Sequence, residues 1–343
     1  MTNLILILIL NIALAYGGGG QSEEAGGCLD CHGQKGESLR FQDGSRKEVF
    51  VNPEEWAQSV HGGILTCTDC HRDISDVPHG PKKIPDARDY TLQQSNTCQR
   101  CHYAYFTRML DGIHYEVLKS GVREAPTCVD CHGSHNIKSP KTLRAALNGR
   151  CGSCHNQVFE TYKKSVHGKL FMAGNNEDVP VCTDCHGAHA IENPNKSKFH
   201  LNSYQICAKC HADEDKMKRY GLNPNVLTTY LEDFHGASTK VYAAEARDPK
   251  RPIATCTDCH GIHDIVSFKG GIARQNILKA CQRCHAQVPA AFTDSWLSHY
   301  RPSLDKYPAV WVVKWAYRIL IPLIILGLVL HILLHLWRLG TRR

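Results

Sequence analysis

Cysteine spacing constrains this chain of 343 residues more than any other feature. The pattern Cys-x-x-Cys-His occurs nine times and consumes all 18 cysteines. In chain order the motifs are Cys28-Cys31-His32, Cys67-Cys70-His71, Cys98-Cys101-His102, Cys128-Cys131-His132 and Cys151-Cys154-His155. Cys182-Cys185-His186, Cys207-Cys210-His211, Cys256-Cys259-His260 and Cys281-Cys284-His285 complete the set, here numbered first to ninth. No cysteine is left for a structural disulfide or a catalytic thiol. A disulfide-rich domain would not place a histidine after every second cysteine. Zinc ribbons use paired cysteines, but an odd number of pairs, each with its own histidine, fits no tetrahedral ligand set.

The motif is the attachment signature of haem c. Two thiols add to the two vinyl groups on one porphyrin edge, and the next residue is placed under the iron. The expectation is nine covalent haems with the nine motif histidines as proximal ligands.

Distal ligands come from the remaining histidines. The chain has 21, of which nine are proximal and two, His331 and His335, lie near the C-terminus in an apolar run. Ten remain: His61, His79, His114, His135, His167, His189, His200, His235, His263 and His299. The four methionines are too few for general His/Met ligation, which would raise the potential. Bis-histidine ligation, with low potentials, fits the supply.

An internal repeat orders these histidines. One kind of motif leads to a lone histidine further on, as in CHYAYFTRMLDGIH, CHNQVFETYKKSVHG and the stretch from His211 to DFHGA. The other kind is compact: CVDCHGSH, CTDCHGAH and CTDCHGIH. The two alternate, giving about four and a half two-haem modules; the first is loosest, with CHRDISDVPH ending at His79. In the compact form the second histidine cannot reach the far face of its own porphyrin, so it should serve a neighbour. The tidy assignment gives His61, His114, His167 and His235 to the haems of Cys67, Cys128, Cys182 and Cys256, which they precede. His79, His135, His189, His263 and His299 then serve the other five, with His200 left over. The competing assignment pairs each lone histidine with the motif before it. Both stay open.

The ends suggest a location. Leu4–Leu14 is a short apolar run followed by Ala13-Leu14-Ala15 and a Gly-rich stretch, which reads as a signal peptide over residues 1–15 without a basic n-region. Ile319–Trp337 has no Asp, Glu, Lys or Arg and spans ~28 Å, about one hydrocarbon core. Trp311, Trp315, Tyr317 and Trp337 suit interfacial belts, and Arg338, Arg342 and Arg343 suit a cytoplasmic C-terminus, although Lys314 and Arg318 weaken the asymmetry. The expected organisation is a periplasmic haem domain over 16–300, a linker over 301–318, a transmembrane helix over 319–337 and a tail over 338–343.

The haem domain lacks long amphipathic runs, so the porphyrins themselves would form its core. The expected fold class is a mainly α and irregular multihaem fold with little or no sheet and a single C-terminal transmembrane helix. Helices read most clearly at 157–164 and 225–234. The formal charge of +7 omits the propionates. Nine haems would bring the total to about −11, so many Lys and Arg read as propionate partners rather than a nucleic-acid surface.

Residues 28–300 resemble the bacterial bis-His multihaem cytochromes c. The nine motifs and the CHGxH tails at His132–His135, His186–His189 and His260–His263 carry the resemblance. It implies electron transfer. The C-terminal helix departs from soluble class III cytochromes and from quinol dehydrogenases with an N-terminal anchor. It is more similar to the multihaem subunit of membrane cytochrome b/c quinone oxidoreductases. His331 and His335, spaced i, i+4, share one helix face. They bind a b haem with a partner helix, line a quinone site, or hydrogen-bond within a bundle. The resulting expectation is single-electron relay between a quinone-linked membrane subunit and periplasmic cytochromes or reductases, with no catalytic residue of its own. A reductase of the nitrite, hydroxylamine or tetrathionate type and a subunit of an extracellular haem filament are the alternatives.

Overall fold

The computed structural model describes residues 23–80, 82–174, 176–245, 249–266, 271–295, 299–305 and 307–341. The expected leader over 1–15, and Arg342 and Arg343 of the tail, lie outside the described residues. Two compact units divide the chain: residues 1–199 with 261–266, and residues 200–260 with 267–343. Nothing in the sequence reading marks a boundary inside 16–300.

The first unit begins with α1 (Glu23–His32), a hairpin of β1 (Ser38–Arg40) and β2 (Arg46–Glu48), and α2 (Pro53–Ala57). It continues with α3 (Cys67–Cys70), α4 (Ala87–Cys98), α5 (Tyr103–Leu110), α6 (Ile113–Lys119) and α7 (Cys128–His132). Then come α8 (Pro140–Cys154), α9 (Asn156–Lys164), α10 (Val166–Met172) and α11 (Cys182–His186). Helix α12 (Ser197–His211) runs across the division. The second unit holds α13 (Glu214–Arg219), α14 (Val226–Glu232), α15 (Phe234–Glu245), α16 (Cys256–His260), α17 (Gly271–Gln282), α18 (Ala290–Ser295) and α19 (Pro308–Thr341). The fold is thus mainly short helices with irregular chain. The one sheet among the described residues is the antiparallel hairpin, paired Ser38 to Glu48 and Arg40 to Arg46.

Two kinds of helix carry the motifs, and an aspartate between the cysteines caps one kind, although Asp30 of the first motif holds the same place inside α1. The second, fourth, sixth and eighth motifs start their own short helices, α3, α7, α11 and α16. There Asp69, Asp130, Asp184 and Asp258 each accept the backbone N–H of Thr66, Thr127, Val181 and Thr255 at 2.7 Å. This is the reach-back half of a capping box, which satisfies an N–H the helix leaves orphaned. The third, fifth and seventh motifs instead finish the longer helices α4, α8 and α12, whose first turns lie well upstream, so their cysteines need no cap.

The lone histidines follow a helix break that the sequence reading does not place. A helix over 225–234 was expected, but Asp233 is extended at φ −89° and ψ 170°, ending α14 and opening α15. The Asp233 carboxylate accepts the N–H of His235 at 2.7 Å and of Gly236 at 3.3 Å. Ser165, also extended, caps α10 by accepting the N–H of Gly168 at 3.0 Å. The break folds the chain back so tightly that a Cβ on Gly168 would lie 1.8 Å from the Tyr162 carbonyl oxygen. Glycine after the lone histidine is therefore required in SVHG and DFHG. The expected helix over 157–164 is present as α9.

Buried apolar residues are few: Phe41, Ile84, Ala125, Leu143, Val179 and Val181 in the first unit, and Leu201, Met217 and Tyr230 in the second. Helix α19 has a mean hydropathy of 2.7 over its most apolar window and is long and apolar enough to cross a membrane. The linker expected over 301–318 is helical from Pro308 onward. Proline suits a first helical position, and no glycine interrupts the following residues up to Arg318.

Candidate functional site

Each motif histidine ends or follows a motif turn, and most have a second imidazole opposite. His32 pairs with His79 at a ring-centre distance of 5.9 Å, His71 with His135 at 6.0 Å, and His102 with His61 at 6.0 Å. His132 pairs with His189 at 5.9 Å, His155 with His114 at 6.1 Å, and His186 with His263 at 5.9 Å. In the second unit His260 pairs with His299 at 6.1 Å and His285 with His235 at 6.2 Å. One such spacing would be an ordinary aromatic contact. Eight pairs among the described residues, each joining one motif histidine to one non-motif histidine within 5.9–6.2 Å, is a different matter. Two imidazoles bound to one metal from opposite sides, with bonds of about 2 Å, hold their ring centres about 6 Å apart.

The electrostatics suit ligation by neutral rings. Burial, followed by the neighbouring His71, pushes His135 down to about 4, and burial followed by His299 pushes His260 down to about 4. Burial also lowers His114, His132, His186 and His189. A neutral imidazole is the form that offers a lone pair to a metal.

The pairing differs from the tidy assignment. His61 faces His102 rather than the histidine of the Cys67 motif, His114 faces His155 rather than His132, and His235 faces His285 rather than His260. Each lone histidine skips a motif. The compact tails also skip: His135, His189 and His263 face the histidines of the second, fourth and sixth motifs. His167 belongs to the first unit and His211 to the second. The leftover His200 has another partner: its Nε2 lies 2.8 Å from Asp258 Oδ2. His331 and His335 are exposed on α19.

Successive motifs are held side by side. The first cysteines of successive motifs are neighbours: Cys28 lies beside Cys67, Cys98 beside Cys128, Cys151 beside Cys182, and Cys207 beside Cys256. The long helices of the third, fifth and seventh motifs also reach the cap of the next. Arg88 of α4 holds Asp130 at 3.0 Å, and Arg144 of α8 holds Asp184 at 2.7 Å. His200 of α12 holds Asp258 in the same way. Arg144 and His200 each stand seven residues before the first cysteine of their motif. Burial pushes the Asp130 and Asp258 carboxyls up, but the Thr127 and Arg88 bonds on one, and the His200 and Thr255 bonds on the other, leave both below the usual carboxylate range. The aspartate of CxDCH is a readable part of these clamps, but Asp30 and Asp69 carry it too, so it does not mark them by itself.

Family models match the chain in two overlapping stretches. That for cytochrome c7 and related cytochrome c matches residues 51–133, and that for cytochrome c3 matches residues 121–212. The chain is a multihaem cytochrome c. The matched stretches span the second to seventh motifs of this cytochrome. No solved structure matches it.

The residues fit the haem groups that family binds. All 18 cysteines are free of disulfides and so available for attachment. Among the described residues no three His, Cys, Asp or Glu side chains converge on a metal site of their own. What the chain supplies is pairs of imidazoles, the set required when a macrocycle provides the four equatorial nitrogens.

Proposed function

We propose that this cytochrome is a membrane-anchored nonahaem electron relay, exchanging single electrons between a quinone-linked membrane subunit and periplasmic redox proteins. The histidine pairs at 5.9–6.2 Å are the observation that carries it. Bound haem would supply a one-electron iron couple. The chain's part is to fix positions. The 18 cysteines tether the edges, and the contacts between first cysteines bring neighbouring attachment points together. A histidine on each face leaves no position for a substrate, which favours relay over a reductase, and neutral imidazoles on both sides favour low potentials. Helix α19 is the anchor, and His331 and His335 on one face of it would meet the membrane partner as ligands to a b haem or as part of a quinone site.

The test is purification of the full chain from detergent-solubilised membranes. Mass spectrometry should give nine haems per chain, the ferric protein should be low-spin throughout, and carbon monoxide should not bind. Reduction by a menaquinol analogue should require the co-purifying membrane subunit. A chain ending before Pro308 should move to the soluble fraction. A stoichiometric high-spin haem that binds carbon monoxide would replace this reading with a reductase.

A further inference from the structure

One backbone hydrogen bond recurs at the same register three times in the first unit. The N–H of Val60 donates to the Ile137 carbonyl at 2.9 Å, that of Ile113 to Ile191 at 2.8 Å, and that of Val166 to Ile265 at 2.9 Å. In each case the donor immediately precedes a lone histidine, His61, His114 or His167. The acceptor lies two residues after a tail histidine, His135, His189 or His263. The bond therefore ties together two histidines that come from separate parts of the chain.

The partners of the tied histidines are not random. His135 faces His71 of the second motif, and His61 faces His102 of the third. His189 faces His132 of the fourth motif, and His114 faces His155 of the fifth. The second unit repeats the logic with side chains. There Thr229 Oγ1 lies 3.3 Å from His299 Nδ1 and Asn223 donates to the His299 carbonyl, so residues leading into His235 hold His299. Their partners are His260 of the eighth motif and His285 of the ninth.

We infer that these bonds build distal-ligand cassettes, which serve the second and third, the fourth and fifth, and the eighth and ninth motifs, and that Val60 and Ile113 are positioning residues acting through their backbone N–H. The cassette rests on the bis-His reading and adds to it. Contacts between first cysteines join each odd motif to the next even one. The cassettes join the second motif to the third, the fourth to the fifth and the eighth to the ninth. Two alternating devices thus set successive spacings within each unit. A displacement in one cassette is felt by two iron sites, and by no others.

Helix geometry provides a clean test. Ile113 is the first residue of α6, and Gly112 before it is extended at φ −91° and ψ 151°. Proline is tolerated at a first helical position and wants an extended residue before it. Ile113→Pro therefore removes the one N–H that matters while leaving the helix intact. Ile113→Ala keeps the N–H and removes the side chain. Gly112→Ala is a milder wedge, because its Cβ would come 2.9 Å from the His189 carbonyl oxygen. All three are made in the full holoprotein, with haem content measured by mass spectrometry and spin state by low-temperature EPR.

Wild type should be fully low-spin, which tests the bis-His reading separately. In Ile113→Pro, two haems' worth of low-spin signal should shift or turn high-spin, and Gly112→Ala should shift the same two. Ile113→Ala should match wild type. One affected haem, a change in Ile113→Ala equal to that in Ile113→Pro, or no change in either backbone variant would overturn the cassette. So would haem loss across the whole chain in both backbone variants, since the cassette is local.

Discussion

His200 Nε2 lies 2.8 Å from Asp258 Oδ2, in the place where the preceding repeat puts Arg144 against Asp184. The leftover histidine of the ligand count is thus the third member of a cation clamp, and the one member that can lose its charge. The hydrogen bond to Asp258 raises the His200 pKa against the opposing effect of burial. A raised folded-state value contributes stability that is fully present below the ordinary histidine pKa of about 6.5 and is lost as pH rises through the folded value. Asp258, whose pKa is depressed, contributes above the ordinary carboxylate range and loses its contribution as pH falls through its own folded value. Thermal unfolding of the holoprotein should show a loss of stability on the alkaline side of pH 6.5 that His200→Arg abolishes. An unchanged pH profile in that variant would remove the clamp from the account.

Asp130 supports its motif helix twice, accepting from Thr127 N–H at 2.7 Å and holding Arg88 at 3.0 Å. Asp130→Ala should cost about 1–2 kcal/mol, the sum expected for a lost cap and a part-exposed charged hydrogen bond. Arg100 holds the same position between the cysteines of the third motif, is exposed and caps nothing. Arg100→Ala should stay within about 0.5 kcal/mol of wild type. Denaturant unfolding of the two variants measures the contrast.

Gly168 closes the turn that aims His167. Its Cβ would meet backbone atoms of Tyr162 and Lys163 at 1.8–2.6 Å, and backbone cannot step aside as a side chain can. Gly168→Ala should cost about 2 kcal/mol or more and lower haem incorporation. A variant with wild-type melting would mean the break at Ser165 is not as tight as drawn.

Much of this was legible in the sequence, because covalent attachment leaves a spacing that chain chemistry alone explains. The nine motifs, the number of histidines outside them and the apolar run over Ile319–Trp337 all read directly. The pairing did not. Which lone histidine meets which motif depends on contacts between distant parts of the chain, such as the bond from the Ile113 N–H to the Ile191 carbonyl, and residue spacing does not record these. The two motif classes are visible as CHGxH against longer spacers, but the aspartate between the cysteines does not separate them, since Asp30 holds that place inside α1. The long reach of α19 back to Pro308 was missed because hydropathy marks the apolar centre of a helix and not its polar ends.

The interleaving itself is tested most directly at His189, whose ring stands 5.9 Å from that of His132 at an interplanar angle of 10°. His189→Ala in the holoprotein, followed by EPR and by site-resolved assignment of the affected haem, reads out whose iron loses a ligand. The account predicts that the haem attached at Cys128 and Cys131 becomes high-spin or takes another ligand, while that at Cys182 and Cys185 stays low-spin. If the open position instead appeared on the haem of Cys182 and Cys185, or if no haem changed its spin state, the histidine pairs would not be the axial ligands they are taken to be.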